Sequence, residues 1–141
     1  MGLFGKKKKS SPAPAEPKLV MESSFVRSGS FRGFKRFRLT VHGITDAEQN
    51  AEKLKDADLK NAEISFKVFL DEHKTEFANV YINGLRVGII WDEEEIQSIK
   101  KKAFDKVYVM FEDETVIGKD ETIVRPRVRL FVRYATEGKQ L

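Results

Sequence analysis

The sequence predicts a mainly β, α+β domain: a small antiparallel barrel or curled sheet with two short helices. Three observations predict it. Alternating apolar and polar residues, the period of a half-buried strand, recur at 37–41, 64–70, 107–111 and 127–135. Asn83-Gly84 separates two β-rich runs, 77–82 and 85–91. That dipeptide is a strong hairpin signal, because a type I′ turn needs positive φ at both central residues. The helical segments are short and do not alternate with strands in βαβ order, so the strands should pair antiparallel. A chain of 141 residues suits one domain with a real core.

Taken in order, residues 1–17 contain Lys6, Lys7, Lys8 and Lys9, then Pro12, Pro14 and Pro17 among small residues. Such a segment buries too little surface to offset its ordering entropy, and it is expected to be a disordered basic, Pro-rich tail. Leu3 and Phe4 beside the lysines make a poor membrane anchor, and Lys6 stands where an acylation signal beginning at Gly2 wants Ser or Thr. A membrane partner is not expected. Ser28-Gly29-Ser30 and Gly33 punctuate residues 18–34, which read as a partly ordered lead-in made mostly of loop. The folded domain should span 35–135, followed by a flexible C-terminus at 136–141.

Within the domain, Phe37, Leu39 and Val41 should face the core, leaving Arg36, Arg38 and His42 on the other face of the first strand. Thr45 three residues before Glu48 has capping-box spacing and starts a helix from 46 to about 57, with Ala47, Ala51, Leu54 and Ala57 apolar. The strand at 64–70 and the Asn-Gly hairpin follow. The second helix, 92–104, has Asp92 as its cap and Glu95 closing a box. Acids in its first turn and lysines in its last complement the helix dipole. Its apolar stripe is Ile96, Ile99, Ala103 and Phe104. After a strand at 107–111, the acidic stretch 112–122 reads as a connection. In the last strand Val128, Leu130, Val132 and Tyr134 face one way. Arg127, Arg129, Phe131 and Arg133 face the other, with Arg125 in phase before Pro126. Proline is tolerated only at a strand's start or on an edge.

Charge is distributed unevenly. The formal net charge is +4, and four lysines against Glu16 leave +3 of it in the first seventeen residues. Inside the near-neutral body, residues 27–38 carry Arg27, Arg32, Lys35, Arg36 and Arg38 without an acid. Residues 125–133 carry Arg125, Arg127, Arg129 and Arg133 without one either. If the first and last strands adjoin, Phe34, Arg36, Arg38, His42, Arg125, Arg127, Arg129, Phe131 and Arg133 form a basic, aromatic platform. Such a platform neutralises phosphates and stacks on bases. The alternative stands beside it: outward arginines also protect sheet edges and pair with acids on neighbouring strands, and Phe131 can pack beneath a helix.

Catalysis finds no support in the motifs. There is no cysteine, so there is no disulfide and no thiolate. His42 and His73 are the only imidazoles and have no ligand spacing. Nucleophile elbow, Walker loop and Rossmann fingerprint are missing. The acids at 92–95 point around a helix axis instead of converging on one ion. No enzyme activity, cofactor or metal is expected. With no bilayer-length apolar run and no secretory signal, the expected location is cytoplasmic.

Lys35-Arg36-Phe37-Arg38-Leu39-Thr40-Val41-His42-Gly43-Ile44-Thr45 resembles the opening strand of HIRAN domains, which ends in a glycine-aliphatic step of this kind. Val80-Tyr81-Ile82-Asn83-Gly84-Leu85-Arg86-Val87-Gly88-Ile89-Ile90 is similar to that family's central hairpin, and the helix at 92–104 falls where the family places one. The likeness covers roughly residues 35–134. Two features depart from it: residues 71–77 lack the family's Asn-Pro-Tyr-Asp-like turn, and Ile89 replaces an aromatic. The resemblance implies a small barrel akin to an oligonucleotide-binding fold and an association with DNA, single-stranded ends included. It assigns no contact residue here. The expected function is a non-catalytic nucleic-acid-binding module, with DNA favoured. The alternative is a protein-interaction or adaptor domain that uses a sheet edge or groove, with the basic tail as a localisation element.

Overall fold

The computed structural model of the chain describes residues 16–29, 32–33, 35–43 and 45–135, the side chains of Thr45 and Asp46 apart. Among the described residues, seven strands and two helices follow one another as β1 (Lys18–Val26), β2 (Phe37–Leu39), α1 (Thr45–Lys55), β3 (Glu63–Leu70), β4 (Glu76–Ile82), β5 (Leu85–Ile90), α2 (Glu93–Lys100), β6 (Phe104–Ile117) and β7 (Thr122–Tyr134). They form two antiparallel sheets, one of four strands in the order β1-β3-β4-β5 and one of three in the order β2-β7-β6.

Strand phase sets the core. Ile64, Phe66 and Val68 of β3, with Ala78, Val80 and Ile82 of β4, meet Leu39, Val107, Val109, Leu130 and Val132 of the other sheet in one buried cluster. Leu54 of α1 and Ile96 and Ile99 of α2 close it. Asn83 and Gly84 have φ 51° and 83°, as the hairpin between β4 and β5 requires.

The sheets touch at both corners through single bridges, not ladders. Arg27 bridges Val107, and His42 bridges Ile89. Among the described residues the strands therefore do not close into a barrel, and the curled two-sheet alternative is the observed one. The second corner needs Gly88. A Cβ there would lie 2.3 Å from Val41 Cγ1 and 2.9 Å from the His42 carbonyl oxygen.

Three sequence expectations are corrected. Residues 18–26, read as mostly loop, form the nine-residue β1. The acidic stretch read as a connection is the outer half of β6, and the turn is confined to Gly118–Glu121. Phe104 begins β6 instead of ending α2. Lys102 takes φ 53°, and the amides of Lys102 and Ala103 donate to Ile99 and Ser98, a Schellman closure that stops the helix first. Pro126 stands directly across from Asp113. β2 reaches only Leu130, Phe131 and Val132 of β7, so the proline occupies an edge, as its missing N–H demands.

Candidate nucleic-acid interface

β2, the strand read from the sequence as the first, is a neighbour of the last strand, β7. Arg38 pairs directly with Phe131 across the β2–β7 ladder, so both lie on the outer face of the three-stranded sheet. The Arg36 guanidinium sits 5.3 Å from the centre of the Phe131 ring. Tyr108 of β6 flanks Phe131 on the other side. Phe131 is thus half-buried on the sheet's outer face, beneath a cation.

The arginines of β7 are largely spoken for. Arg125 Nη1 donates to both carboxylate oxygens of Glu48, at 2.8 and 2.9 Å. Arg127 donates from Nε to Glu114 and lies 3.6 Å from Glu48. Arg129 Nε is 3.4 Å from Glu112. Arg133 forks onto both oxygens of Asp105. Each arginine faces a carboxylate: β6 brings Glu114 to Arg127, Glu112 to Arg129 and Asp105 to Arg133, while α1 supplies Glu48 to Arg125. The hydrogen bond from Arg127 holds the Glu114 carboxyl below its ordinary value, helped by the charges of Arg127, Arg129 and Arg125. Arg27, from the other basic run, serves the fold: its guanidinium donates to the carbonyls of Leu59 and Val109. The exposed cations of this face are Arg36 and Arg38, and Arg38 makes no ion pair with a described residue. Phe34 lies outside the described residues.

Asp105 gives a pH test of the ion-paired reading. The hydrogen bond from Arg133 lowers its carboxyl pKa, with the Arg133 charge adding to the effect. A depressed folded pKa stabilises the protein above the unfolded value, near 4, and that stability is lost as pH falls through the folded value. The Asp105 side chain is 43% exposed, so screening limits the contribution to less than about 1 kcal/mol. Asp105→Asn is expected to destabilise at neutral pH and to converge with the parent in acid, measured by urea unfolding. A constant difference between the two across that range would contradict the pairing.

One site residue escaped the sequence reading. Ile90 points into the core, so strand alternation turns Trp91 outward, where it remains 54% exposed. Its indole stacks on His42, with ring centroids 4.1 Å apart and planes 10° from parallel. His42 is fixed by two backbone bonds to Ile89, at 2.8 and 2.9 Å. Asp92 caps α2 by accepting from the Glu95 amide, but the Glu95 carboxylate does not turn back to close a box. It accepts from Thr40 N at 2.7 Å and Thr40 Oγ1 at 2.9 Å, tying the exit of β2 to α2. Together these bonds place Arg38, His42, Trp91, Glu114, Arg127 and Arg129 around one open groove of about 350 Å³. Four of the sequence-predicted residues meet here, while Arg36, Phe131, Arg125 and Arg133 lie outside the groove lining. Trp91 is the chain's single tryptophan, and its place one residue past a buried isoleucine was the signal available in the sequence.

Among the described residues, no three His, Asp or Glu side chains group as a metal site, and no helix is long and apolar enough to cross a membrane. Comparison with protein-family models, with curated proteins and with solved structures finds no match in any of the three.

Proposed function

We propose that this chain is a non-catalytic, HIRAN-like nucleic-acid-binding module that takes single-stranded DNA along the groove between Arg38 and Trp91. The observation that carries this reading is the exposed Trp91 stacked on His42 at the wall of a groove containing three arginines. A large ring backed by a second ring is a rigid π-surface, and a stacked base contributes about 1–3 kcal/mol. Among the described residues, Arg38 supplies a cation not already held by a carboxylate. Two sheets meeting at bridged corners also suit a variant of the oligonucleotide-binding architecture, and DNA as the favoured ligand follows from the HIRAN resemblance.

Salt dependence tests the division of labour among the arginines. Each phosphate contact on a single strand adds about 0.7 to the magnitude of the log–log salt slope. By fluorescence anisotropy with a single-stranded oligonucleotide, Arg38→Ala is expected to remove about that much, whereas Arg133→Ala leaves the slope unchanged. Equal effects from the two substitutions would overturn the assignment of Arg38. A second reading, a protein-interaction domain, is favoured by Ile117, Ile123 and Val124, which stand exposed near the turn of the β6–β7 hairpin.

A further inference from the structure

We propose that the depression between Trp91 and α2 is a single-base pocket that selects guanine. The inference rests on the nucleic-acid reading of the adjoining groove and adds base identity to it. Trp91 is the shared wall of two depressions. His42 and the arginines line one of them. The other, about 230 Å³, is lined by Lys74, Glu76, Glu93, Ile96 and Gln97 and does not include His42. Its volume lies below the roughly 300–1,000 Å³ of sites for drug-sized ligands, which suits one ring system.

The two sides of Trp91 differ in chemistry. The arginine side suits phosphate. On the α2 side, Glu76 is committed to Lys100 Nζ at 2.7 Å and Gln97 Nε2 at 3.4 Å. Glu93 makes no ion pair or hydrogen bond with a described residue, and Gln97, having turned its Nε2 to Glu76, keeps its amide oxygen as an acceptor. The α2 wall therefore offers acceptors. A carboxylate can accept two parallel N–H bonds. Guanine alone among the common bases presents two adjacent donors on its Watson–Crick edge, N1–H and the N2 amino group. Adenine and cytosine offer one donor beside a ring-nitrogen acceptor, which a carboxylate opposes. Lys74, also in the lining, is a donor for the guanine O6, which adjoins N1–H on the same edge. Ile96 supplies apolar contact for the ring.

The single tryptophan makes the test direct, because its intrinsic fluorescence reports the wall shared by the pocket and the groove, and the base series separates the two. The full chain is titrated with a short oligothymidine carrying one central guanine, and with matched strands carrying adenine, cytosine or hypoxanthine. The guanine strand is expected to bind on the order of tenfold more tightly than the adenine and cytosine strands and to quench Trp91. Hypoxanthine, which lacks the N2 amino group, should lose most of that preference. Glu93→Gln should abolish it while leaving affinity and salt slope for the all-thymidine strand unchanged, which also shows that the variant is folded. Equal affinity for all four strands overturns the base pocket and leaves the groove reading standing, as does a guanine preference that survives Glu93→Gln. Failure of every strand to bind overturns both.

Discussion

Phe66→Ala is expected to cost about 3–5 kcal/mol of stability, the largest effect of the substitutions considered. Phe66 is fully buried on β3, an interior strand, where it pairs with Ser23 on one side and Val80 on the other. Its ring meets Phe25 and Phe104 edge-on, at centroid distances of 5.9 and 5.8 Å. Truncation therefore removes contacts to both sheets at once, and the surrounding strands are held by ladders that limit collapse into the void. A domain of this size has about 5–15 kcal/mol in total, so the loss consumes much of it. Urea unfolding should show a lowered midpoint with an unchanged slope. Ile64→Val, at a neighbouring buried position, should cost about 0.5–1.5 kcal/mol and serves as a milder measure of the same core. A loss below about 1 kcal/mol for Phe66→Ala would contradict the shared two-sheet core.

Gly88→Ala is expected to cost about 1–3 kcal/mol and to weaken oligonucleotide binding as well. The added methyl group would press on Val41 Cγ1 at 2.3 Å and on the His42 carbonyl oxygen at 2.9 Å. Val41 can turn aside, but the carbonyl accepts from the Ile89 amide at 2.9 Å, and moving it breaks the bridge that joins the sheets. That bridge also holds His42 against Trp91. Stability and affinity should therefore fall together. Gly29→Ala, with nothing within 4 Å of its added Cβ, should change neither. Gly88→Ala with unaltered anisotropy and unfolding curves would sever the proposed link between the corner bridge and the groove.

What the sequence made legible was local. The Asn83-Gly84 turn, the inward phases of β3 and β7, the Asp92 cap and the edge position of Pro126 each follow from a few adjacent residues. β1 was obscured for a physical reason. Leu19, Val20 and Met21 run consecutively, a bulge shifts the register between Leu19 and Met21, and Ser23-Ser24 interrupts the apolar pattern. Only Met21 and Phe25 of that strand reach the core. The outer half of β6 was missed because Glu112-Asp113-Glu114 carries loop composition, and the arginines that neutralise it stand on another strand. The same long-range pairing made Arg125, Arg127, Arg129 and Arg133 look freer than they are. Trp91 shows the opposite case: alternation alone turns it outward, while its partner His42 lies far away in sequence and is brought to it by a single bridge.

The most direct measurement is a single-stranded DNA titration of the full chain in which Lys6, Lys7, Lys8 and Lys9 are glutamine, repeated with Trp91→Ala added. The four lysines can attract DNA without sequence or shape preference, so their removal isolates the folded body. Binding that persists without the lysines and weakens on the order of tenfold or more with Trp91→Ala is the predicted result. Binding that disappears with the lysines, or that ignores the loss of Trp91, would contradict the groove as the site.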